Sequence, residues 1–375
     1  MKIKRLTSYF TILILIIFIS FVYPQSLKAT PEISADGAAL LELDSGRIIY
    51  VKNPDKELPM ASTTKVMTGL LALENEELDS KVTASKEASE VVGSSIYLQE
   101  DEELLMEEML YGLILESGND AAHAIAEHIA GDIQNFNRLM NEKARELGAT
   151  STKFQNPHGL PAKNHFTTAK DLLKITEEAL TDPVFSRVVA TKRKIIPGPD
   201  EEVRFRFLRN TNKLFGKYPG TDGVKTGWTE KAGRCLVFSA SKDGTRLVGT
   251  LLNAPKMYED ASKILDWGFS EYNQVTLFEE GQHIEELQVD GNEKEKVRLI
   301  TKDKVTLPLR EREKSKISYI LKPKENIEAP IYTEDYIGNL EVTIDGQKVS
   351  EVKLVAENDI EVKGFWNRIL SFFGR

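Results

Sequence analysis

The sequence predicts an α+β chain, an antiparallel sheet interrupted by a helical block, followed by a small all-β domain. Three observations predict it. Strand-like alternation occurs at 38–51 and again beyond 186, amphipathic segments fill the stretch between, and after about Tyr272 short alternating segments recur between Gly, Pro, Asn and Asp. Strands split by helices and closed by a further helix form a layered α+β arrangement. Closely spaced short strands mark an all-β unit.

Taken in order, Ala38 to Val51 reads as a hairpin turning at Asp44-Ser45-Gly46. A helix-rich stretch follows from Ser62 to about Leu180, with amphipathic segments at 62–75, 104–115, 120–131 and 133–147. Strands are expected near 186–196, 203–209, 222–228, 233–241 and 245–253, and a helix over 258–270. The all-β domain is expected over 273–358, with strands near 284–289, 296–301, 304–309, 317–321, 338–344 and 347–354. It carries no catalytic constellation and reads as a spacer, with partner binding left open.

Charge and composition exclude several functions. A formal net charge of -9 argues against a nucleic-acid partner, which calls for a basic face. Cys235 is the single cysteine, so the fold has no internal disulfide. The five histidines show no metal-binding spacing; His123 and His128 fall on different faces of a helix. No metal and no cofactor are expected.

The two ends are unlike the rest. Lys2, Lys4 and Arg5 precede an apolar run from Tyr9 to Tyr23, and Ser26-Leu27-Lys28-Ala29 follows. This is the pattern of an export signal over 1–29, cleaved after Ala29, with an uncleaved anchor as the alternative. At 360–375, Phe365, Ile369, Phe372 and Phe373 form an apolar stripe opposite Lys363, Asn367, Arg368 and Arg375. Such a helix is too short to span a bilayer but can lie in its surface; docking on the protein itself is the other reading. The expected location is the outer face of the cytoplasmic membrane or the cell wall.

The chemistry begins with Ser-x-x-Lys, which occurs at Ser62/Lys65, Ser239/Lys242 and Ser350/Lys353. In a strand, residues three apart point to opposite faces, which disfavours Ser350/Lys353. Ser239/Lys242 straddles a strand end and a turn. Only Ser62 opens an apolar helix, where i and i+3 side chains are neighbours and free N–H groups favour a developing anion. A serine hydroxyl needs a base, and Lys65 can serve if burial or a nearby cation keeps its amine neutral. Two unique tripeptides add to the pair. Ser117-Gly118-Asn119 can turn a hydroxyl and an amide into one cleft. Lys225-Thr226-Gly227 puts a cation, a hydroxyl and a close-approach glycine on one strand, suited to docking a peptide and its terminal carboxylate.

This ordered set, with Leu58-Pro59-Met60-Ala61 before Ser62, Phe154-Gln155-Asn156-Pro157-His158-Gly159-Leu160 and Thr167-Thr168-Ala169-Lys170-Asp171-Leu172, resembles low-molecular-mass penicillin-binding proteins of the D-alanyl-D-alanine carboxypeptidase family. The similarity runs from about Pro31 to Gly268 and continues more weakly beyond. It implies a penicillin-binding/β-lactamase-like catalytic domain over 30–272, an antiparallel sheet with a helical subdomain. It also implies that Ser62 attacks the bond between two D-alanines of a peptidoglycan stem peptide with Lys65 as base, and that β-lactams are covalent inhibitors. By the same resemblance Ser117 relays a proton to the leaving amine and Asn119 binds the substrate amide. Lys225 and Thr226 hold the carboxylate, Gly227 lets the strand approach, and the N–H groups of Ser62 and Trp228 hold the oxyanion. An arginine that some relatives carry before the last catalytic helix is missing between Leu251 and Asp260, so that role has no bearer here. His158 reads as loop structure and Cys235 as a buried strand residue. Two rival readings stay open: a β-lactamase, revealed by rapid nitrocefin turnover, and an inactive wall-binding scaffold, revealed by failure of a fluorescent penicillin to label the protein.

Overall fold

The computed structural model describes residues 29–290 and 292–361, so the expected export signal up to residue 28 and the expected interfacial helix from 362 onward lie outside the described residues. The expected start of that helix at 360 is corrected: Ile360 is buried and bridges to Ile331 as a strand residue, its main chain already paired. The central sheet has five strands, β1 (Gly37–Glu42), β2 (Arg47–Lys52), β7 (Thr221–Thr229), β8 (Gly233–Lys242) and β9 (Thr245–Leu252), in the order β2-β1-β9-β8-β7. Every pairing in it is antiparallel. Period-2 alternation supplies two apolar faces at once. Ala38, Leu40, Leu236, Phe238 and Leu251 pack with Ile264, Leu265 and Trp267 of helix α8 (Met257–Glu271). Ala39, Leu41, Val237 and Val248 face the other way, into the core of the helical block.

That block holds α1 (Lys65–Asn75), α2 (Lys86–Ser89), α3 (Met106–Leu115), α4 (Asn119–Ala130), α5 (Ile133–Glu146), α6 (Ala169–Thr181) and α7 (Pro183–Ala190). A small ribbon, β3 (Lys81–Thr83) with β4 (Glu103–Leu105), lies among them. Caps set the helix ends. Asp132 and Thr168 accept N–H bonds at the starts of α5 and α6, and Gly131 closes α4 in the left-handed region (φ 79°).

The expected strand at 186–196 is corrected. Its first half is helix α7, and only Arg193–Pro197 forms a strand, β5, paired with β6 (Phe205–Arg209). Val188 and Val189 favour a strand locally, but Asp182 caps the N–H groups of Val184 and Phe185, with Pro183 in the first helical position. That start signal and burial of Phe185, Val188 and Val189 override β-branched propensity.

Beyond α8 the regular elements among the described residues are strands apart from a short 3₁₀ turn. β11 (His283–Val289), β12 (Asn292–Thr301), β14 (Ile317–Pro323), β15 (Tyr336–Ile344) and β16 (Gln347–Ala356) make a sheet in the order β11-β12-β16-β15-β14. A ribbon of β10 (Asn273–Phe278) and β13 (Val305–Leu309) shares its core through Phe278, Leu307 and Leu309. β10 was not expected; its polar start comes one residue after the end of α8 and hides the alternation. This β-rich part is fastened to the preceding one. Arg47 of β2 forms a two-pronged ion pair with Glu313, and the Arg310 guanidinium stacks over Trp267 and Tyr272 at 4.7 and 4.6 Å. Among the described residues no helix is long and apolar enough to cross a membrane.

Candidate active site

Ser62 lies in a 3₁₀ turn, Ala61–Thr64, and Lys65 is the first residue of α1. The turn is held by its own hydroxyls: Thr63 and Thr64 donate to the carbonyls of Met60 and Ala61. His165 secures it further. Its Nδ1 accepts from the Gln155 N–H, so Nε2 carries the proton and donates to Thr64 Oγ1 at 2.9 Å. Burial holds the His165 pKa down to about 4. Because this lies below the ordinary 6.5, the neutral ring contributes fully to stability above pH 6.5 and its contribution is lost as pH falls toward 4. The loss amounts to about 3 kcal/mol. Thermal unfolding followed from pH 7 to pH 4 is expected to show this loss, and His165→Gln is expected to make the profile shallower, leaving the part that the buried His158 ring contributes over the same range. An equally steep profile in the variant would contradict it.

Lys65 is fully buried, and its Nζ meets three oxygens: Asn119 Oδ1 at 2.7 Å, the His158 carbonyl at 2.8 Å and Ser62 Oγ at 3.3 Å. Burial first, and the nearby Lys225 second, push its pKa well below 10.5, against the pull of Asp120. A neutral amine has two N–H bonds and one lone pair. Asn119 and His158 take the two hydrogens at the shorter distances, which turns the lone pair toward the Ser62 hydroxyl. The geometry therefore poises an amine base beside a hydroxyl nucleophile.

The 154–160 segment supplies one of those oxygens. Pro157 O accepts from Thr68 Oγ1 of α1, and Asn156 ties the loop through Gly159 N–H and Leu160 O. Gly159 is obligatory: its φ is +91°, and a Cβ there would stand 2.0 Å from Ala61 O. His158 acts through its main chain; its ring is held neutral, pKa about 3, by burial and then by Lys65. The sequence reading assigned His158 to loop structure and missed the carbonyl.

Ser117, the hydroxyl of the second motif, is buried in the left-handed region (φ 63°), and Gly118 caps α4. Asn119 opens that helix, its Oδ1 engaged by Lys65 and one Nδ2 hydrogen donated to Val92 O at 2.7 Å. Its first job in this structure is to hold the lysine. Asp120, fully buried, accepts from Ser95 Oγ and the Ile96 and Leu98 N–H groups, pinning the 94–98 loop beside the cleft.

Strand β7 closes the site. Lys225 is buried, its Nζ 3.0 Å from Thr226 O, and burial brings its pKa to about 7. Thr226 Oγ1 meets Thr211 Oγ1 at 3.2 Å. Gly227 abuts the Ser62 turn so tightly that a Cβ would lie 2.9 Å from Ser62 N and 3.0 Å from Thr63 N. The following residue, Trp228, is 67% exposed at the mouth. Ser62, Ser117, Thr226, Gly227 and Trp228 thus line one cleft of about 350 Å³, joined by Ser94, Arg234 and Tyr258, which the motifs did not announce. The other two Ser-x-x-Lys matches are elsewhere. Ser239 is buried and donates to Asp222, and Ser350 pairs with Val342 within a sheet. Cys235 is buried with its thiol pushed up to about 11, which makes it inert.

Comparison with known proteins agrees with this geometry. Residues 25–256 match the family model described as D-alanyl-D-alanine carboxypeptidase, and 272–362 match that of the penicillin-binding protein 5 C-terminal domain. The D-alanyl-D-alanine carboxypeptidase DacF of Bacillus subtilis is 34% identical, over 96% of each chain. DacC of Escherichia coli is 30% identical over 94% of this chain and 90% of its own. Among solved structures, penicillin binding protein 5 from Haemophilus influenzae covers 89% of this chain and 99% of its own, with a TM-score of 0.75 and 28% identity. The Streptomyces K15 DD-transpeptidase covers 64% of this chain and 99% of its own, with a TM-score of 0.61 and 33% identity.

Proposed function

The chain belongs to the D-alanyl-D-alanine carboxypeptidase family of low-molecular-mass penicillin-binding proteins, and from that premise we propose that Ser62 carries the family's acyl transfer. The enzyme is a serine peptidase that removes the terminal D-alanine from peptidoglycan stem peptides. The observation that carries the assignment to Ser62 is the fully buried amine of Lys65, 3.3 Å from Ser62 Oγ and held at shorter distances by Asn119 Oδ1 and the His158 carbonyl.

In the first step the Ser62 hydroxyl loses its proton to Lys65, and Oγ bonds to the carbonyl carbon between the two D-alanines. The N–H groups of Ser62 and Trp228, on the tightly apposed turn and strand, hold the oxyanion. Ser117 passes a proton to the leaving amine, the C–N bond breaks and D-alanine departs. The charged form of Lys225, with Thr226, holds the terminal carboxylate, and the same charge keeps Lys65 unprotonated. Water then attacks the ester and restores Ser62. Asn119 serves the reaction chiefly by orienting Lys65, with its remaining N–H available to a substrate carbonyl. A β-lactam enters the same path and stays as an ester.

The same reading puts the chain on the outer face of the cytoplasmic membrane, exported by 1–29 and resting on lipid through 362–375. The catalytic part is 30–272 and the β-rich part 273–358, with Arg47–Glu313 and the Arg310 stack supporting a fixed orientation between them. Release of D-alanine from a synthetic pentapeptide tests the reaction. The wild type is expected to release it and Ser62→Ala to fall by about a thousandfold or more. Equal release from both would refute the assignment.

A further inference from the structure

The β5–β6 hairpin is a two-stranded sheet of its own, and its two faces are unlike. Inward, Ile196, Arg206 and Leu208 are buried. Arg206 pairs there with both oxygens of Glu102 and donates to the Ile96 and Tyr97 carbonyls, which fixes the hairpin to the body of the protein. Alternation turns the other face outward, with Arg193 opposite Arg209, Ile195 opposite Phe207 and Pro197 opposite Phe205. All six are exposed; Ile195, Phe205 and Phe207 are 55%, 58% and 75% in contact with solvent. Single apolar side chains on a surface are ordinary. Four that face one another on one small, rigid sheet, flanked by arginines, have the composition of an interface.

The charges along the hairpin say what covers that face. Its base carries Arg193 and Arg209, and its tip carries Asp200, Glu201 and Glu202, all exposed. Arg204, also exposed, falls by alternation on the side of Arg206. Like charges directly opposite destabilise a strand pair, and among the described residues Arg193, Arg209, Glu201 and Glu202 have no ion-pair partner. A partner of one sign would satisfy only one end. A second copy turned end for end satisfies both. At about 3.3 Å per residue the Arg193–Arg209, Ile195–Phe207 and Pro197–Phe205 pairs follow one another at steps of about 7 Å, with the acidic tip next. A two-fold axis normal to the face, passing between the two apolar pairs, sets each Phe207 on Phe205 of the second copy. The same rotation sets each arginine pair on the second copy's acidic tip. We propose that this face is the contact surface of a symmetric homodimer, with two hairpins packed face to face and antiparallel. The contact is small for a protein interface, so the dimer is weak and forms where the chain is concentrated.

The test follows sedimentation equilibrium of the full chain in mild detergent, from about 1 to about 300 µM. The wild type is expected to pass from monomer toward dimer across that range. Phe207→Ser, at a position that packs on nothing in the monomer, is expected to weaken association by about tenfold or more, with penicillin labelling unchanged as a report on the fold. Two charge swaps then test the orientation. Arg193→Glu/Arg209→Glu makes both ends of the hairpin acidic, and Glu201→Lys/Glu202→Lys makes both basic, so each protein alone is expected to lose the dimer. Mixed, the two are expected to pair at about wild-type strength, because each basic end then meets an acidic one. Neither a misfolded protein nor association through another surface produces that rescue. A chain that stays monomeric throughout overturns the inference, as does association that Phe207→Ser leaves unchanged. So do charge-swapped proteins that both label with penicillin yet fail to pair when mixed. Where a double swap does not label, Arg193→Glu and Glu202→Lys singly are mixed and read in the same way.

Discussion

Lys65→Met is expected to slow acylation by penicillin about a thousandfold or more while the protein stays folded. Methionine matches the length of the buried stem and needs no desolvation, which relieves the cost of burying an amine completely. Against that, Asn119 Oδ1 and the His158 carbonyl lose their donor, at about 1–3 kcal/mol for each buried acceptor left unpaired. The two effects oppose each other, so the net change in stability is small beside the kinetic loss. Stopped-flow labelling with a fluorescent penicillin, read beside a thermal melt, separates them. Labelling within tenfold of wild type would remove Lys65 from the role of base.

Gly227→Ala is expected to cost about a hundredfold in both labelling and D-alanine release, with a stability loss of about 1–3 kcal/mol. The added methyl would sit 2.9 Å from Ser62 N, 3.0 Å from Thr63 N and 3.2 Å from Ala61 Cβ. Two of these are main-chain atoms of the turn that carries the nucleophile, and no side-chain rotation can clear them. Either β7 or the turn must move by several tenths of an ångström, which separates the Ser62 and Trp228 N–H groups that act together on one oxygen. Wild-type rates in a folded variant would show that the strand does not form one wall of the oxyanion site.

Much of this arrangement was legible in the sequence because its signals are local. Apolar runs at 38–41, 235–238 and 247–252 mark strands buried on both faces, and two of the three motifs stand at helix starts, the third inside strand β7. What stayed hidden depends on contacts between distant segments. The His158 carbonyl reaches Lys65 across 93 positions, and nothing in a side-chain pattern announces a main-chain acceptor. The contact between Lys65 and Asn119 spans 54 positions and is equally hidden in the sequence. The helix at Pro183–Ala190 was misread from its valines, although Asp182-Pro183 carried the start signal.

The central claim is that one of three Ser-x-x-Lys serines is the nucleophile. Peptide mapping by mass spectrometry after brief exposure to benzylpenicillin tests it most directly. The account predicts a single long-lived penicilloyl ester on the peptide that contains Ser62. An ester on Ser239 or Ser350, or no ester on a protein that still releases D-alanine, would contradict it.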